Sequence, residues 1–342
     1  MKILVTGGTG YIGSHTVVEL QTRGFDVIVV DNLSNSSAEV LEKITKITGV
    51  MPEFEKFDLT DGRLTTEFFA RHSDIRAVIH FAAFKAVGES VELPLKYYHN
   101  NLLSLINLLK GMIASGISDL VFSSSCTVYG QPDQLPARED TPIKPAQSPY
   151  GNTKQICEEI ITDTSLHENI RGILLRYFNP IGAHESALIG ELPLGVPACL
   201  MPYVTQTGIG IRPFLRVWGN DYETPDGTAI RDYLHVVDLA RAHVVAVERL
   251  LTGKPQEKIE VFNLGTGTGY SVLDVIQSFE RTSGVKLNWE FHDRRPGDVV
   301  QIWADTTKAN QVLGWKADKT LDDMTRSAWQ WELALAREKA KD

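Results

Sequence analysis

Tyr150 and Lys154 stand four residues apart, downstream of a serine run, Ser123-Ser124-Ser125. Four residues is about one helical turn, so the two side chains share a face. Removing a hydride from an alcohol carbon leaves a protonated carbonyl unless the hydroxyl proton departs too, so such a site needs a base. A free phenol, with a pKa of about 10, is a poor base at neutral pH. An ammonium about 4 Å away at an effective dielectric near 20 contributes about 4 kcal/mol, which brings the phenol toward neutrality. The spacing points to Tyr150 as base, Lys154 as the charge that lowers its pKa, and Ser125 as a hydrogen-bond partner of the reacting hydroxyl. Taken singly, Tyr150 and Lys154 also fit an exposed helix pair, and the serines also fit a strand terminus.

A hydride needs an acceptor, and the chain start supplies a place for one. Lys2–Thr6 reads as a strand, and Gly7-Gly8-Thr9-Gly10-Tyr11-Ile12-Gly13 opens a helix directly after it. Glycines allow unusual backbone angles and close approach to a pyrophosphate at the helix N-terminus. Asp31 ends the second expected strand, 18 residues beyond Gly13, where a carboxylate accepts from an adenosine ribose. It would repel a 2′-phosphate, so the pattern favours NAD over NADP. The bland alternative for Asp31 is a solvated strand end. Asp58 fits the adenine edge or, equally, a turn before Leu59.

The elements that must position these groups alternate. Expected strands are Lys2–Thr6, Asp26–Asp31, Glu53–Phe57, Ala77–His80, Asp119–Ser123 and Arg171–Arg176. Helices are expected between them, among them Ile12–Arg23, Leu93–Gly116 and Pro149–Thr164. Runs rich in Val, Ile and Leu suit strands buried on both faces of a parallel sheet. The pattern predicts an α/β, Rossmann-type doubly wound fold with ligands at the carboxyl ends of the strands. Past Asn179-Pro180 the periodicity loosens through a Gly- and Pro-rich stretch. Residues 1–180 are expected to form the cofactor domain, and 181–342 a smaller mixed α/β domain. A helix at Val236–Leu251 and a strand at Ile259–Asn263 are expected to pack back on the first domain. Gly265-Thr266-Gly267-Thr268-Gly269 reads as a tight turn into a helix capped by Ser271, rather than as a second dinucleotide loop.

A net charge of −9 over 342 residues argues against broad nucleic-acid or anionic-membrane binding. Cys126, Cys157 and Cys199 form no Cys-x-x-Cys pair, which suits a reduced, cytoplasmic setting. No apolar run is long enough for a membrane span, and the first residues do not resemble a signal peptide. His15, His80 and His235 have no metal-ligand spacing and are read as structural, so no metal is expected.

Longer segments are more specific. Val5–His15, Val30-Asp31-Asn32-Leu33, His80–Ser90, Phe122–Gly130, Ser148–Lys154, Leu175–His184, Arg231–Val236 and Arg294-Arg295-Pro296-Gly297-Asp298 together resemble the extended short-chain dehydrogenase/reductase family. Within it they are similar to the branch that epimerises UDP-hexoses at C4, and the likeness runs over nearly the whole chain. The resemblance implies a tightly held NAD, reduced and reoxidised within one turnover that interconverts UDP-glucose and UDP-galactose. Tyr150 would take the 4-hydroxyl proton, and the keto sugar would turn over before hydride returns to its other face.

The resemblance also implies the remaining contacts. Cofactor contacts would come from Gly7, Gly10, Tyr11, Ile12 and Gly13, then Asp31, Asn32, Asn35, Asp58 and Leu59. Phe81, Ala82, Ala83, Lys85, Asn100, Ser123, Tyr177 and Phe178 complete that shell with Tyr150 and Lys154. The UDP-sugar would meet Lys85, Ser125, Tyr150, Asn179, Leu200, Arg231, Tyr233, Arg295 and Asp298. Guanidinium groups suit diphosphate oxygens. On sequence alone, Arg231 also fits a salt bridge with Asp232 or Asp238. The family's helices at about Leu93–Gly116 and Pro149–Thr164 imply a homodimer.

Two positions depart from the family pattern. Many relatives carry an amide where this chain has Cys199, so one substrate contact becomes a thiol. Ile302 stands where some relatives carry a tyrosine that narrows the sugar pocket, which predicts room for UDP-N-acetylglucosamine. Rival readings are a nucleotide-sugar 4,6-dehydratase, a decarboxylase, or a non-catalytic NAD-binding sensor. Cys126 and Thr127 replace the acid/base carboxylates that the dehydratases put after Ser125.

Overall fold

The computed structural model describes residues 1–295 and 298–340. Pro296 and Gly297, within the Arg294–Asp298 motif, lie outside them. The first half contains β1 (Lys2–Thr6), β2 (Asp26–Asp31), β3 (Glu53–Lys56), β4 (Ile75–His80), β5 (Asp119–Ser125) and β6 (Arg171–Tyr177). Between them run α1 (Tyr11–Thr22), α2 (Glu39–Thr48), α3 (Gly62–Arg71), α4 (Val87–Glu92), α5 (Pro94–Ala114) and α6 (Pro149–His167). The second half holds short strands: β7 (Asn179–Ile181), β8 (Leu215–Trp218), β9 (Ile230–Arg231), β10 (Tyr233–His235), β11 (Ile259–Leu264), β12 (Tyr270–Ser271), β13 (Trp289–His292) and β14 (Gln301–Ile302). Its helices are α7 (Leu200–Gly208), α8 (Val236–Leu251), α9 (Val272–Ser283) and α10 (Leu321–Lys339).

One parallel sheet of seven strands, in the order β11-β6-β5-β4-β1-β2-β3, carries the first half. β11, from the second half, pairs with β6 at its edge. Alternation along each strand explains why both faces are buried. Ile3, Val5, Val29, Ile79 and Val121 face one cluster, which takes in Val17 of α1 and Leu239 of α8. Their neighbours Leu4, Ile28, Val30, Val78 and Phe122 face the other, with Phe68, Leu105 and Ile161. Each large side chain so buried is worth about 1.5–3 kcal/mol.

Register builds the working edge. Thr6 lies opposite Val30 and His80, so Gly7, Asp31 and Phe81 leave the sheet together. Ser125 lies opposite Tyr177. The carboxyl ends of five strands therefore converge along one line.

The second half has a separate cluster around Met201, Val217, Tyr233, Phe279 and Met324. β12, β9 and β14 form one small sheet, and β7 pairs with β10. The turn at 265–269 leads to α9, which Ser271 caps in a capping box with Asp274.

Candidate active site

The glycine loop is a tight backbone crossing. Gly7 has φ +71°, and a Cβ there would stand 2.8 Å from the amide nitrogen of Ala82. A Cβ on Gly13 would stand 2.2 Å from the Gly7 carbonyl oxygen. Gly10 precedes α1 as its cap and offers no side-chain hydrogen bond to the first amides. Those amides, at Tyr11, Ile12 and Gly13, carry the positive end of the helix dipole without a side-chain acceptor. A cradle of this kind fits the pyrophosphate of a dinucleotide.

Around it, Asp31 is 8% exposed rather than solvated, because Leu33 N donates to it at 2.9 Å and Thr9 N at 3.3 Å. Asn32 donates to Asp58 at 2.9 Å. Asp58 also accepts from Thr60 N and Oγ1, so it closes the turn before buried Leu59 as well as reaching toward β2. Burial works to raise the Asp58 carboxyl, but the Thr60 and Asn32 hydrogen bonds outweigh it and hold the pKa low. Asn35 is exposed beyond this loop. Phe81 leaves β4 bonded to Thr6, with Ala82 and Ala83 behind it. On α5 Asn100 donates to Asn101, whose own amide bonds Thr153 of α6.

Tyr150 sits in the first turn of α6, where Ser148 caps the helix by accepting from Gly151 N at 3.1 Å. Burial is the largest influence on its phenol and pushes the pKa well above 10, reinforced by Tyr177. The Ser125 hydroxyl and the Lys85 charge oppose that. Lys154 is 4% exposed, and its ammonium donates to the Ser123 carbonyl at 2.7 Å. It lies 6.0 Å from the centre of the Tyr150 ring and 4.8 Å from that of Phe122. Burial lowers its pKa to about 8.

The Lys154 ammonium lies against ring faces and a carbonyl, and the Lys85 charge also favours the phenolate. The hydroxyls of Ser123 and Tyr177 share a hydrogen bond beside it. Phe178 is buried just beyond.

The residues expected to meet the UDP-sugar lie on and beside β7, β9 and β14. Asn179 stands beside Tyr233 in the β7–β10 register, and its amide bonds the Asp232 carbonyl. Arg231 has β12 on one side and Ile302 of β14 on the other. Its guanidinium reaches the Ile230 carbonyl at 2.8 Å and Asp298 at 3.7 Å. Neither alternative partner takes it. Asp232 accepts from Thr266 N, Thr266 Oγ1, Gly267 N and Ala304 N. Asp238 accepts from the amides of Asp318 and Lys319.

Arg295 lies over the Trp218 ring at 5.9 Å. Ile302 is 3% exposed and packs with Phe178, Val128 and Tyr129, with Cys126 at the rim, so it acts as wall material behind the site. Cys199 is exposed just before Leu200 opens α7.

Three residues here escaped the sequence reading. Glu191 accepts from Lys85 at 3.2 Å, and its charge raises the Cys199 thiol to about 11. Trp218 supports Arg295. Tyr222, 5% exposed, lies under Arg294, and its buried hydroxyl has no partner among the described residues. The available signal was aromatic residues inside an aperiodic Gly-rich stretch. Gly219, at φ +79°, is needed because a Cβ there would meet the Tyr222 ring at 2.3 Å.

The histidines sit as supports. His80 bonds Thr6 at 2.7 Å, His15 bonds the Tyr11 carbonyl at 2.7 Å, and His235 faces Ser327 at 3.1 Å.

With this geometry in place, comparison with known proteins decides the family. The GDP-mannose 4,6 dehydratase family model matches residues 4–328. The chain is 51% identical to a UDP-glucose 4-epimerase of Bacillus subtilis (strain 168), covering 97% of each chain. It is 49% identical to that of Bos taurus, over 97% of this chain and 96% of the other. The chain belongs to the UDP-glucose 4-epimerase family.

Solved epimerase structures agree with this membership. One from Stenotrophomonas maltophila, with bound NAD and formylated UDP-arabinopyranose, superposes with a TM-score of 0.95 at 47% identity over 99% of each chain. Another from Bifidobacterium longum, with NAD+ and UDP, gives 0.93 at 46% identity over 98% of each chain.

Proposed function

We propose that this epimerase-family chain interconverts UDP-glucose and UDP-galactose with a retained NAD. The observation that carries the reading is one half-buried phenol and the groups that act on it. Tyr150 sits in the first turn of α6, with the Ser125 hydroxyl and the Lys85 charge acting on it. Gly7–Gly13 and Asp31 would hold NAD, which when bound would supply the acceptor for the C4 hydride, and Lys154 would hold its nicotinamide ribose. Tyr150 takes the 4-hydroxyl proton in one half-reaction and gives it back in the other, while Ser125 orients that hydroxyl. Arg231 and Arg295 grip the diphosphate, and Asp298 the uridine ribose, so the hexose can rotate without the ketone leaving.

The dehydratase reading lacks its acid/base pair, because Ser125 is followed by Cys126 and Thr127. The deciding experiment incubates the protein with UDP-galactose and no added cofactor, and follows UDP-glucose. Turnover is expected for the unmodified chain, with a drop of about 10²–10⁴-fold in Tyr150→Phe. A full rate in that variant removes Tyr150 from the base role.

Four finer statements are part of the proposal. Residues 1–180 with 236–263 form the NAD domain, and the rest of 181–342 the UDP-sugar domain. The protein works as a homodimer through α5 and α6, supported by exposed Val91, Leu93, Leu95 and Leu166, with Leu95 80% exposed. Sedimentation at micromolar concentration tests it. It works in the cytoplasm, consistent with its three free cysteines. Ile302, rather than a tyrosine, leaves room for UDP-N-acetylglucosamine, and a rate with that sugar tests this.

A further inference from the structure

Tyr150, Lys154 and Glu158 form one stripe along α6, each a turn from the next. Glu158 is 5% exposed. Ser124 Oγ donates to its carboxylate at 2.5 Å, Arg176 Nη2 at 2.6 Å and Arg176 Nε at 3.0 Å. Arg176 is itself 5% exposed, and its Nη1 donates to the Tyr129 hydroxyl at 3.0 Å. That hydroxyl donates to Asn263 Oδ1 at 2.6 Å, and Asn263 Nδ2 donates to the Ala137 carbonyl at 2.9 Å. Ala137 in turn bonds the backbone of Trp303 and Asp305, beside the β14 strand that flanks Arg231.

Stability alone is a weak reason for such a chain. A buried ion pair is often no better than apolar residues of the same volume. Two things it does here an apolar pair cannot do. Holding Ser124 to one side of β5 sends Ser123 and Ser125 to the other, because strand side chains alternate. It also places a carboxylate one turn below a buried ammonium.

We propose that Glu158 is a positioning residue of the reaction: clamped by Arg176 and Ser124, it sets the seat of the Tyr150–Lys154 stripe against β5 and supplies a negative charge one helical turn from Lys154. The inference rests on the reading of Tyr150 and Lys154 as the reacting pair.

The groups around Lys154 support the assignment. Tyr150 and Cys157 share its helix, and β5 contributes the Ser123 carbonyl and the Phe122 ring. β4 contributes His80, neutral because burial holds it to about 3. α5 turns uncharged Asn101 toward α6, while Glu89 of α4 is engaged by Lys96 and Tyr97. Arg176 on β6 is turned to Glu158. Burial lowers Lys154, and Cys157 and Glu158 oppose this. Burial also pushes the Cys157 thiol to about 12, so it is neutral where Lys154 titrates. Glu158 is then the anion that keeps Lys154 charged.

The test uses the NAD-loaded protein with UDP-galactose. Glu158→Gln keeps the shape and removes the charge. Its expected signature is a kcat lower by roughly 10–100-fold, an unchanged KM, unchanged NAD content, and an alkaline limb of kcat moved about one pH unit to the acid side. The volume-matched double variant Glu158→Leu with Arg176→Met guards against a single variant that does not fold, and the same acid shift is expected from it. A folded double variant with the original alkaline limb and kcat overturns the proposal and leaves the pair a purely structural role. Full activity of Tyr150→Phe instead overturns the underlying reading, so the two failures are distinguishable.

Discussion

From β1 to β6 the chain is held by apolar strands in one sheet, and its polar site residues emerge where those strands stop. Between β7 and β14 the strands are two to four residues long apart from β11, which belongs to the large sheet. Here buried carboxylates do the holding, with Asp232 gathering four donors and Asp238 two loop amides. The difference teaches how the work is divided. On the proposed assignment, the cofactor lies on a rigid hydrophobic frame and the sugar nucleotide on loops tied by individual polar contacts, which a few substitutions can retune.

The sharpest way to break this comparison is at the frame. In Gly13→Ala the new Cβ collides with the Gly7 carbonyl at 2.2 Å, where backbone cannot move aside cheaply. Overpacking of that kind costs about 3 kcal/mol, or roughly a 100-fold loss of NAD affinity. The expected outcome is protein purified without nucleotide, read from the absorbance of its denatured supernatant. Full NAD content in this variant would sink the account of the glycine cradle.

The corresponding break in the other half is Asp232→Ala, which leaves four donors around a fully buried position without an acceptor. A loss of about 3 kcal/mol in unfolding free energy is expected. The strand carrying Arg231 should loosen with it, so KM for the UDP-sugar rises while NAD content stays normal. Equal loss of NAD and UDP-sugar would show that the two halves are not held separately.

How much of this was legible in the sequence follows the same division. Unbroken apolar runs such as Ile3-Leu4-Val5 and Val27-Ile28-Val29-Val30 reveal their strands, because both sheet faces are buried. The Ser123–Ser125, Tyr150 and Lys154 grouping was legible because it hangs directly on β5 and α6. Trp218, Tyr222 and Glu191 were not, since they are set by contacts tens of residues away, as Lys85 meets Glu191 from another element. Periodicity carries no record of such contacts. Lys154 shows the same limit. Helical spacing fixes the shared face, but the Ser123 carbonyl decides where the ammonium points.

Acid separates the halves more gently. Burial lowers His15 and His80 to about 3, and His235 and His243 to about 4. Each is neutral when folded but takes up a proton below about 6.5 when unfolded. The stability they contribute is therefore full above pH 6.5 and lost as pH falls toward 4. At pH 5 that is on the order of 2 kcal/mol for each histidine. Three of the four lie on α1, β4 and α8, around the sheet, so the cofactor half should open first. Calorimetry from pH 7 to 5 should show a falling midpoint, and hydrogen exchange should place the earliest opening there. A flat midpoint contradicts the argument.

The smallest expected effect sharpens the view of the loop-held half. Ser271 caps α9 by accepting from Asp274 N at 3.0 Å, while Asp274 accepts from Ser271 N at 2.9 Å. Its hydroxyl also reaches Asp226, in the loop that leads to Arg231. Loss of the cap in Ser271→Ala costs about 1 kcal/mol, a fall of roughly 2 °C in the unfolding midpoint. If the loops are tied contact by contact, KM for the UDP-sugar should rise modestly as well, because Asp226 loses its anchor beside the Arg231 strand. The exposed box at Thr320 and Asp323 on α10 is the control, since it caps a helix without reaching that loop. Thr320→Ala should lower the midpoint by a similar amount and leave KM unchanged. Equal KM for both variants would mean that the Asp226 loop is held by its own turn and not by Ser271.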